Sequence, residues 1–585
     1  MSVLIWRLKH LSDNSFILLV AGLVGLIAGF AAVTLKSAVH IIQGLLDKNL
    51  DFTGINYLYL AYPLIGITLT ALLANYILKE KLGHGITQIL FAISKQSSII
   101  RKTKMYSRMV TSAITVGFGG SVGLEAPIVV TGSAIGSNLG RLVHLDYKKR
   151  TLLIGCGAAG AVSAIFNSPV AGVIFAIEVI LTDITINKFI PILIASVLGQ
   201  LVTLVLLGED ILFSFSLVDG FSASQTHYFL LLGIITGGAS LYFTRLLNYV
   251  EDQIRTVKNF LMRALIGGLG LTVIILVFPP IYGEGYNTIT DLLTGNQDNI
   301  FQGSFLSELS SKDYLLIGFI FFILLVKPVA TALTIGAGGS GGIFGPSLFM
   351  GGLTGFLFAF FTNLIFPGAE LSLSNFTLVG MCGVMSGVLH APLTAIFLIA
   401  EITSGYELFV PLMLVSAISY TTISYFEKHS VYTKNLIEKG DLIPYDKDRI
   451  VLSLIDLKKI IETDLLKIHP DAKLGELVTL VRKSKRNIFP VVNEAGELEG
   501  IVTLDKIREL MFDTENQETI IIKTLMSTPP AFVSSTEKMQ SVMNKFEITQ
   551  AWNLPVIDDD KYVGFVSKSR IFNAYRKKLI RETKE

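Results

Sequence analysis

The feature that most constrains this chain is a glycine-rich frame that occurs twice inside long apolar regions. It spans residues 119–127 and again 338–346, with Gly, Gly, Ser, Gly and Pro in register and Phe344 in the place of Glu125. A second matched set follows each copy in the same order: Gly157, Gly160, Ser163, Pro169 and Glu178 correspond to Gly380, Gly383, Ser386, Pro392 and Glu401. Two matched sets in one order indicate an internal duplication. Duplicated membrane proteins with Gly- and Pro-broken segments bind their ligand where the halves meet, near the bilayer midplane.

The composition predicts an integral membrane protein. Of 585 residues, 51% are hydrophobic and only 16% are charged, and the mean hydropathy is +0.60. The net charge of +2 and the lack of a basic tract interleaved with aromatic residues argue against a nucleic-acid partner. The two cysteines, Cys156 and Cys382, have no CxxC spacing and lie in small-residue apolar stretches, so we expect helix packing rather than a disulfide or a metal site.

Charge marks the domain boundary. Of the 94 charged residues, 46 follow position 440, in the last quarter of the chain. We predict an N-terminal segment at 1–14, a membrane domain at 15–428 with halves at about 57–207 and 228–425, a linker at 429–463, and two tail units at 464–515 and 520–580.

The membrane spans differ in clarity. Residues 16–34, 57–78, 228–242, 261–277 and 314–326 predict spanning helices. Over 111–206 and 331–425 the apolar runs are cut by Gly, Pro and Ser, which predicts pieces of roughly ten to fifteen residues, short for a full span. Such pieces require neighbouring protein at their ends, because lipid offers no hydrogen bonds.

Basic residues near the spans predict the orientation. The relevant side chains are Arg7, Lys9, Arg101, Lys102, Lys104, Arg108, Lys148, Lys149 and Arg150. Lys and Arg accumulate on the cytoplasmic side, so we expect both termini in the cytoplasm and the protein in the plasma or inner membrane. The first fifteen residues are too polar for a secretory signal, and the first span is therefore expected to be retained.

The glycine-rich frame has the chemistry of an anion site. Glycines allow tight turns and close approach to a ligand, and the helix that follows has free N–H groups at its start. Such a helix start carries about half a positive charge and binds anions. Two starts from homologous halves can converge on one small anion without a fixed cation that would hold it too tightly. Glu125, an acid within membrane segments, would then be a tethered competitor that leaves when protonated; the alternative is that it only caps the helix.

These residues resemble a known family. The stretch 123–127, Gly-Leu-Glu-Ala-Pro, resembles the G(K/R)EGP motif of the CLC chloride channels and chloride/proton antiporters, and 342–346, Gly-Ile-Phe-Gly-Pro, resembles their GxFxP motif. The resemblance implies an all-α polytopic fold with an inverted internal repeat, assembled as a homodimer with one anion pathway per subunit. It implies that Glu125 is the gating glutamate. It also implies that the anion sites are lined by backbone amides of Leu124, Ala126, Ile343 and Phe344.

Two further segments of the pore follow from the resemblance. Residues 83–88 are similar to the family's GSGIPE motif, so that His84, Gly85 and Ile86 would bind anions, with His84 in place of the family's serine. An imidazole N–H can donate to an anion and is sensitive to pH; alternatively His84 faces water and only the backbone lines the pore. Tyr432 matches the family's pore tyrosine by position, although a tyrosine there can also be an interface anchor.

Proton coupling depends on one more position. Proton-coupled members have two adjacent acids after the first-half proline, and here the stretch is Glu178-Val179. The relay position is thus Val179, whose aliphatic side chain cannot carry a proton. This resembles the channel members of the family, although Asp183 or His84 could substitute and some exchangers lack that acid. Glu178, echoed by Glu401, is expected to be structural.

The tail resembles a tandem pair of CBS domains, an α/β module. Residues 487–505 and 552–569 repeat a pattern of two short strands, with helices predicted before them at 476–482 and 539–546. The module class often binds adenine nucleotides, which singles out Thr503, Asp505, Ser567 and Ser569. Dimerisation or support of gating is the alternative.

We therefore predict a passive CLC-type chloride channel, gated by Glu125 and modulated by the tail, with no enzymatic activity, metal or required cofactor. A chloride/proton antiporter of the same fold is the alternative. A CBS-containing divalent-cation transporter is more remote, because it would need acids lining a path, and the membrane part is expected to be short of acids apart from Glu125, Glu178, Asp183 and Glu401. A membrane-tethered nucleotide sensor is disfavoured by the duplicated broken helices.

Overall fold

The chain forms two compact units, in a computed structural model that describes residues 12–47, 57–80, 82–181, 186–208, 221–301, 304, 313–403, 405–441, 452 and 455–584. The division between the units falls between 442 and 443. The first unit contains the duplicated frames and the second contains the charged tail.

The described part of the first unit is helical, as predicted. The helices of its first half are α1 (Asp13–Asp47), α2 (Tyr57–Leu72), α3 (Gly85–Lys95), α4 (Ser107–Gly117), α5 (Glu125–Leu142), α6 (Tyr147–Phe166), α7 (Pro169–Phe175) and α8 (Ile186–Leu207). Those of its second half are α9 (Thr226–Arg255), α10 (Phe260–Val277), α11 (Tyr286–Thr294), α12 (Asp313–Gly336), α13 (Phe344–Ile365), α14 (Leu373–Leu389), α15 (Pro392–Ile402), α16 (Phe409–Phe426) and α17 (Lys434–Glu438). π-helical turns extend α2 through Leu73–Leu78 and α7 through Ala176–Ile180.

Helix lengths correct one expectation. Among the described residues, nine helices are long and apolar enough to cross a membrane. The broken regions are not built only from pieces of ten to fifteen residues, because α5 has 18 residues, α6 has 20 and α13 has 22. Glycines inside these helices do not end them, since they serve close packing instead. A Cβ added at Gly132 would lie 2.1 Å from the carbonyl oxygen of Gly157, and one at Gly351 would lie 2.5 Å from that of Gly380.

The two halves are fastened to each other by reciprocal contacts. The hydroxyl of Thr115, on α4, accepts from Ser340 N in the second frame at 3.0 Å. The hydroxyl of Thr334, on α12, accepts from Ser121 N in the first frame at 3.3 Å. Each frame is thus held by the helix that precedes the other frame. The two contacts are equivalent, as the duplication of the sequence leads us to expect.

A second exchange involves the two matched acids. The carboxylate of Glu178 accepts from the backbone N–H groups of Leu393 and Thr394, at 3.1 and 2.8 Å, and from the Thr394 hydroxyl at 2.7 Å. The carboxylate of Glu401 accepts from the N–H groups of Val170 and Ala171 at 2.9 and 2.8 Å. Each acid caps the first turn of the opposite short helix, α15 or α7, whose N–H groups have no partner within the helix. The expected structural role of the pair is confirmed.

The second unit contains two similar strand pairs, as predicted. Its elements are α18 (Leu474–Lys483), β1 (Ile488–Val492), β2 (Leu498–Thr503), α19 (Leu504–Ile507), α20 (Thr514–Thr519), α21 (Ile522–Leu525), α22 (Met539–Thr549), β3 (Asn553–Asp558), β4 (Lys561–Ser567) and α23 (Lys568–Lys584). β1 pairs antiparallel with β2 and β3 with β4. The two pairs meet in one apolar cluster that includes Val492, Ile501 and Phe565. The two tail units therefore pack together as one module.

Candidate functional site

The two glycine-rich frames meet directly. Gly123 N donates to Gly342 O at 2.9 Å, and Gly342 N donates to Gly123 O at 2.8 Å. Helix α5 begins at Glu125 and α13 at Phe344, two residues after each glycine. The two helix starts are therefore adjacent, and the predicted convergence of the frames is confirmed. We call this the junction (residues 123–126 and 342–345).

The Glu125 side chain lies inside the junction. It is 2% exposed. A Cβ added at Gly123 would lie 1.9 Å from its Oε2, so a side chain at that position would take the space of the carboxylate. A Cβ added at Gly345 would lie 3.3 Å from its Oε1, which is a tight contact. The Tyr286 hydroxyl donates to Oε1. Oε2 has no hydrogen-bond partner among the described residues.

The predicted amide ligands are all at the junction and buried. Leu124, Ala126, Ile343 and Phe344 are at most 3% exposed. Leu124 N is occupied, since it donates to Oε1 of Glu284 at 3.1 Å. The Phe344 ring packs against Phe166, with ring centroids 5.2 Å apart. The aromatic residue thus provides an apolar wall where the first frame provides a carboxylate.

Tyr432 faces the same interior. Its side chain is 1% exposed, its hydroxyl has no hydrogen-bond partner among the described residues, and it lies within electrostatic range of Glu125. Its backbone oxygen accepts from the Thr87 hydroxyl at 2.9 Å, which ties it to α3. A buried hydroxyl without a protein partner fits the expected anion donor better than an interface anchor, because buried polar groups are normally paired.

His84 lies at the N-cap position of α3, and Gly85 and Ile86 are buried in the first turn. The imidazole Nε2 lies 3.1 Å from Oε2 of Glu251, on α9, and the imidazole is 8% exposed. Arg255 contacts the other oxygen of Glu251 at 3.2 Å. The ring therefore engages an acid and does not face bulk water.

The relay position has no titratable side chain. Val179 is half-buried in the π-helical turn Ala176–Ile180, next to the capping Glu178. Asp183, the possible substitute, lies outside the described residues.

Four functional candidates were not predicted from the sequence: Glu251, Glu284, Tyr286 and Lys327. Lys327 is fully buried on α12, donates to the Ser121 hydroxyl at 2.9 Å and lies 4.5 Å from the centroid of the Phe349 ring. The predicted span 314–326 ended one residue before this lysine. An ionisable residue in an apolar segment is a signal that could have identified Lys327. Glu284 and Tyr286 carry no motif, and Glu251 lies at the polar end of a helix.

The tail residues differ in how they are engaged. The Asp505 carboxylate, 82% exposed, bonds Arg508 at 2.6 Å, and Thr503 precedes α19. The buried Ser567 hydroxyl instead donates to Glu462 at 3.0 Å and contacts Ser569 at 3.2 Å. Arg486 contacts Glu462 at 2.7 Å and bonds both oxygens of Asp464, which holds the pKa of the Asp464 carboxyl below its ordinary value. Within the described chain, no three His, Cys, Asp or Glu side chains are grouped to hold a metal ion.

Comparison with known proteins places this geometry in a family. The model of the voltage gated chloride channel family matches residues 66–424, and the CBS domain model matches 457–513 and 522–577. The chain is 27% identical to a putative chloride channel protein ClcB-like of Ralstonia nicotianae over 72% of this chain and 97% of that protein. It is 26% identical to chloride channel protein CLC-f of Arabidopsis thaliana over 86% of this chain and 70% of that protein. It is 29% identical to the H(+)/Cl(-) exchange transporter ClcA of Salmonella arizonae over 70% of this chain and 85% of that protein.

Solved structures share the fold. A slow cyanobacterial Cl-/H+ antiporter matches with a TM-score of 0.64 and 21% identity, covering 73% of this chain and 98% of that one. A eukaryotic CLC transporter matches with a TM-score of 0.60 and 19% identity, covering 95% of this chain and 97% of that one. Since the channel family model alone spans more than half of the sequence, the chain belongs to the voltage-gated chloride channel (CLC) family and carries two CBS domains in its tail.

Proposed function

We propose that this member of the CLC family is a passive chloride channel in which Glu125 is the gate. The observation that carries the proposal is the place of the Glu125 carboxylate, buried between Gly123 and Gly345 where two helix starts meet. That position is where helix N-termini bind an anion. A permeating anion therefore has to displace the carboxylate, and protonation of Glu125 removes the competing charge.

The rest of the site suits conduction rather than tight binding. Each helix start contributes about half a unit of positive charge. The buried Tyr432 hydroxyl supplies a further donor. Conduction requires binding that is favourable enough for entry and weak enough for exit.

Val179 supports a channel over an exchanger. A valine cannot receive or release a proton, and the described neighbour Glu178 is already engaged in capping α15. The exchange transporter ClcA and the cyanobacterial antiporter are named for proton-coupled exchange, and so the antiporter is the alternative that the experiment must separate.

The reversal potential separates the two functions. The full chain is reconstituted in a planar bilayer with a fixed chloride gradient, and a proton gradient is then imposed. A channel keeps its reversal potential at the chloride equilibrium potential, because protons do not share the transport cycle. A shift of the reversal potential with the proton gradient would establish exchange instead, and the absence of any anion current would overturn both.

Glu125→Gln tests the gate. Removal of the charge is expected to raise chloride flux by about tenfold, since a hydrogen bond to a charged group is worth about 1.5–3 kcal/mol. In the wild type, acidification raises flux because it neutralises Glu125; the variant is expected to lose the part of that response that Glu125 carries. Flux from chloride-loaded vesicles at several pH values measures both effects. Glu370→Gln, which neutralises an exposed acid, is the matched control, and a Glu125→Gln profile like that of the wild type would refute the gate.

The proposal includes a homodimer and cytoplasmic termini. Cross-linking of the reconstituted protein tests the first, and protease access to the tail in oriented vesicles tests the second.

A further inference from the structure

The loop before α11 covers the start of α5. This covering loop (residues 282–286) contains Gly283 and Gly285, both with positive φ. Gly283 N donates to Gly119 O at 3.2 Å. A Cβ added at Gly119 would lie 2.0 Å from the Tyr282 ring, so the two segments are in close contact. The covering loop is thus part of the wall of the junction.

Two residues of the covering loop, separated by Gly285, bind two neighbouring residues at the start of α5. Glu284 Oε1 accepts from Leu124 N at 3.1 Å, and the Tyr286 hydroxyl donates to Glu125 Oε1. Leu124 N is one of the amides expected to bind the permeating anion. A carboxylate oxygen therefore already occupies an anion-binding donor, and it comes from a different segment than Glu125.

The charges around Glu284 come from several elements. It lies in electrostatic range of Glu125 on α5, Lys36 on α1 and Lys327 on α12, and Tyr286 begins α11 beside it. The frame itself has Leu124 where the family motif has Lys or Arg. Two carboxylates at one helix start disfavour each other's ionisation. A proton taken up by one therefore affects how firmly the other is held.

We propose that Glu284 is a second gating carboxylate, which competes with the permeating anion for the Leu124 amide. The inference rests on the proposed function, because it assigns Glu284 to the anion pathway of Glu125. When Glu284 is neutral, its bond to Leu124 N is weaker and an anion can take the amide. When Glu284 is charged, the amide is occupied even if Glu125 has left.

The test compares chloride flux in vesicles for the wild type, Glu125→Gln, Glu284→Gln, Glu284→Ala and the double variant Glu125→Gln with Glu284→Gln. Glu284→Gln is expected to raise flux about fivefold, since a charge-assisted hydrogen bond is roughly twice as strong as a neutral one. Asp291→Asn is the matched control, because this acid lies on the adjacent α11 and accepts from Asn299 rather than from α5.

The pH profile distinguishes gating from mere support of the loop. With the pH varied on each side of the membrane in turn, Glu125→Gln is expected to keep a residual response to acid that the double variant lacks. If both Glu284 variants match the wild type, or lower flux without changing the pH profile, the second gate is overturned while the channel stands. If the wild type itself carries no anion flux, the proposed function fails. If Glu284→Ala does not fold, the flux and the pH profile of Glu284→Gln alone decide whether Glu284 is a gate.

Discussion

The His84 ring and the Glu251 carboxylate lie 3.1 Å apart, and this contact engages one of the two ring nitrogens. A neutral imidazole has one N–H, and a hydrogen bond to Glu251 uses it if the proton is on Nε2. Neutralisation of Glu251 therefore changes the donor available at the start of α3. The contact thus connects a predicted pore position to an acid on α9.

We expect both His84→Ser and Glu251→Gln to change the ranking of chloride, nitrate and bromide, by a few-fold in relative permeability. The first replaces the donor, and the second removes the charge of its acceptor and so weakens the bond that engages it. Bi-ionic reversal potentials measure the ranking. Asp252→Asn, a neighbouring exposed acid, should leave the ranking unchanged. An unaltered ranking in both test variants would remove His84 from the selectivity site.

Residues with a motif were predictable, and residues brought in by tertiary packing were not. Glu125 was identified because it interrupts a repeated frame within an apolar region. Glu284 and Glu251 lie 159 and 126 positions further along the chain, with no local pattern that connects them to Glu125. The expectation that the membrane part is short of acids was therefore incomplete. Only the folded chain brings these carboxylates to the helix starts.

Among the helices, the duplication correctly predicts which two helix starts meet. The pattern of Gly, Pro and Ser residues, in contrast, predicts the wrong helix ends. The glycines of 111–206 predict breaks in the helices, yet Gly132 and Gly157 lie inside long helices. The physical reason is that a glycine within a packed pair of helices lets the backbones approach, which offsets its low helix propensity. Sequence alone does not distinguish a glycine that ends a helix from one that packs against another helix.

The exchanged caps of α7 and α15 have a measurable consequence. Glu178→Ala and Glu401→Ala each leave N–H groups of a first turn without their acceptor, and loss of such a cap costs about 1 kcal/mol. Both variants should lower the apparent melting temperature in detergent by similar amounts, because their roles are equivalent by the duplication. The control is Glu407→Gln, an exposed acid near the end of α15. A melting temperature unchanged by either alanine would show that the caps do not stabilise the fold.

The chain as a whole consists of a duplicated helical unit and a tail with two similar strand pairs. Within each unit, the two similar halves carry different side chains in their corresponding segments. The first membrane half provides Glu125 where the second provides Phe344. In the tail, the exposed Asp505 bonds only a neighbouring arginine on its own segment in the contacts described, whereas Ser567 is bound to the buried Glu462.

The difference between Asp505 and Ser567 predicts which half of the tail would hold a nucleotide. If the tail binds an adenine nucleotide, Asp505 and Thr503 hold it, because Ser567 would first have to break its bond to Glu462. ATP added to the purified full chain at a hundred times its Kd should then stabilise the folded protein by about 2.7 kcal/mol, seen as a raised apparent melting temperature. Asp505→Ala should abolish the shift, while Ser569→Ala and the control Asp471→Ala, both in the tail, should keep it. If ATP, ADP and AMP all leave the melting temperature and the titration heat unchanged, nucleotide binding is excluded and the module acts through packing alone.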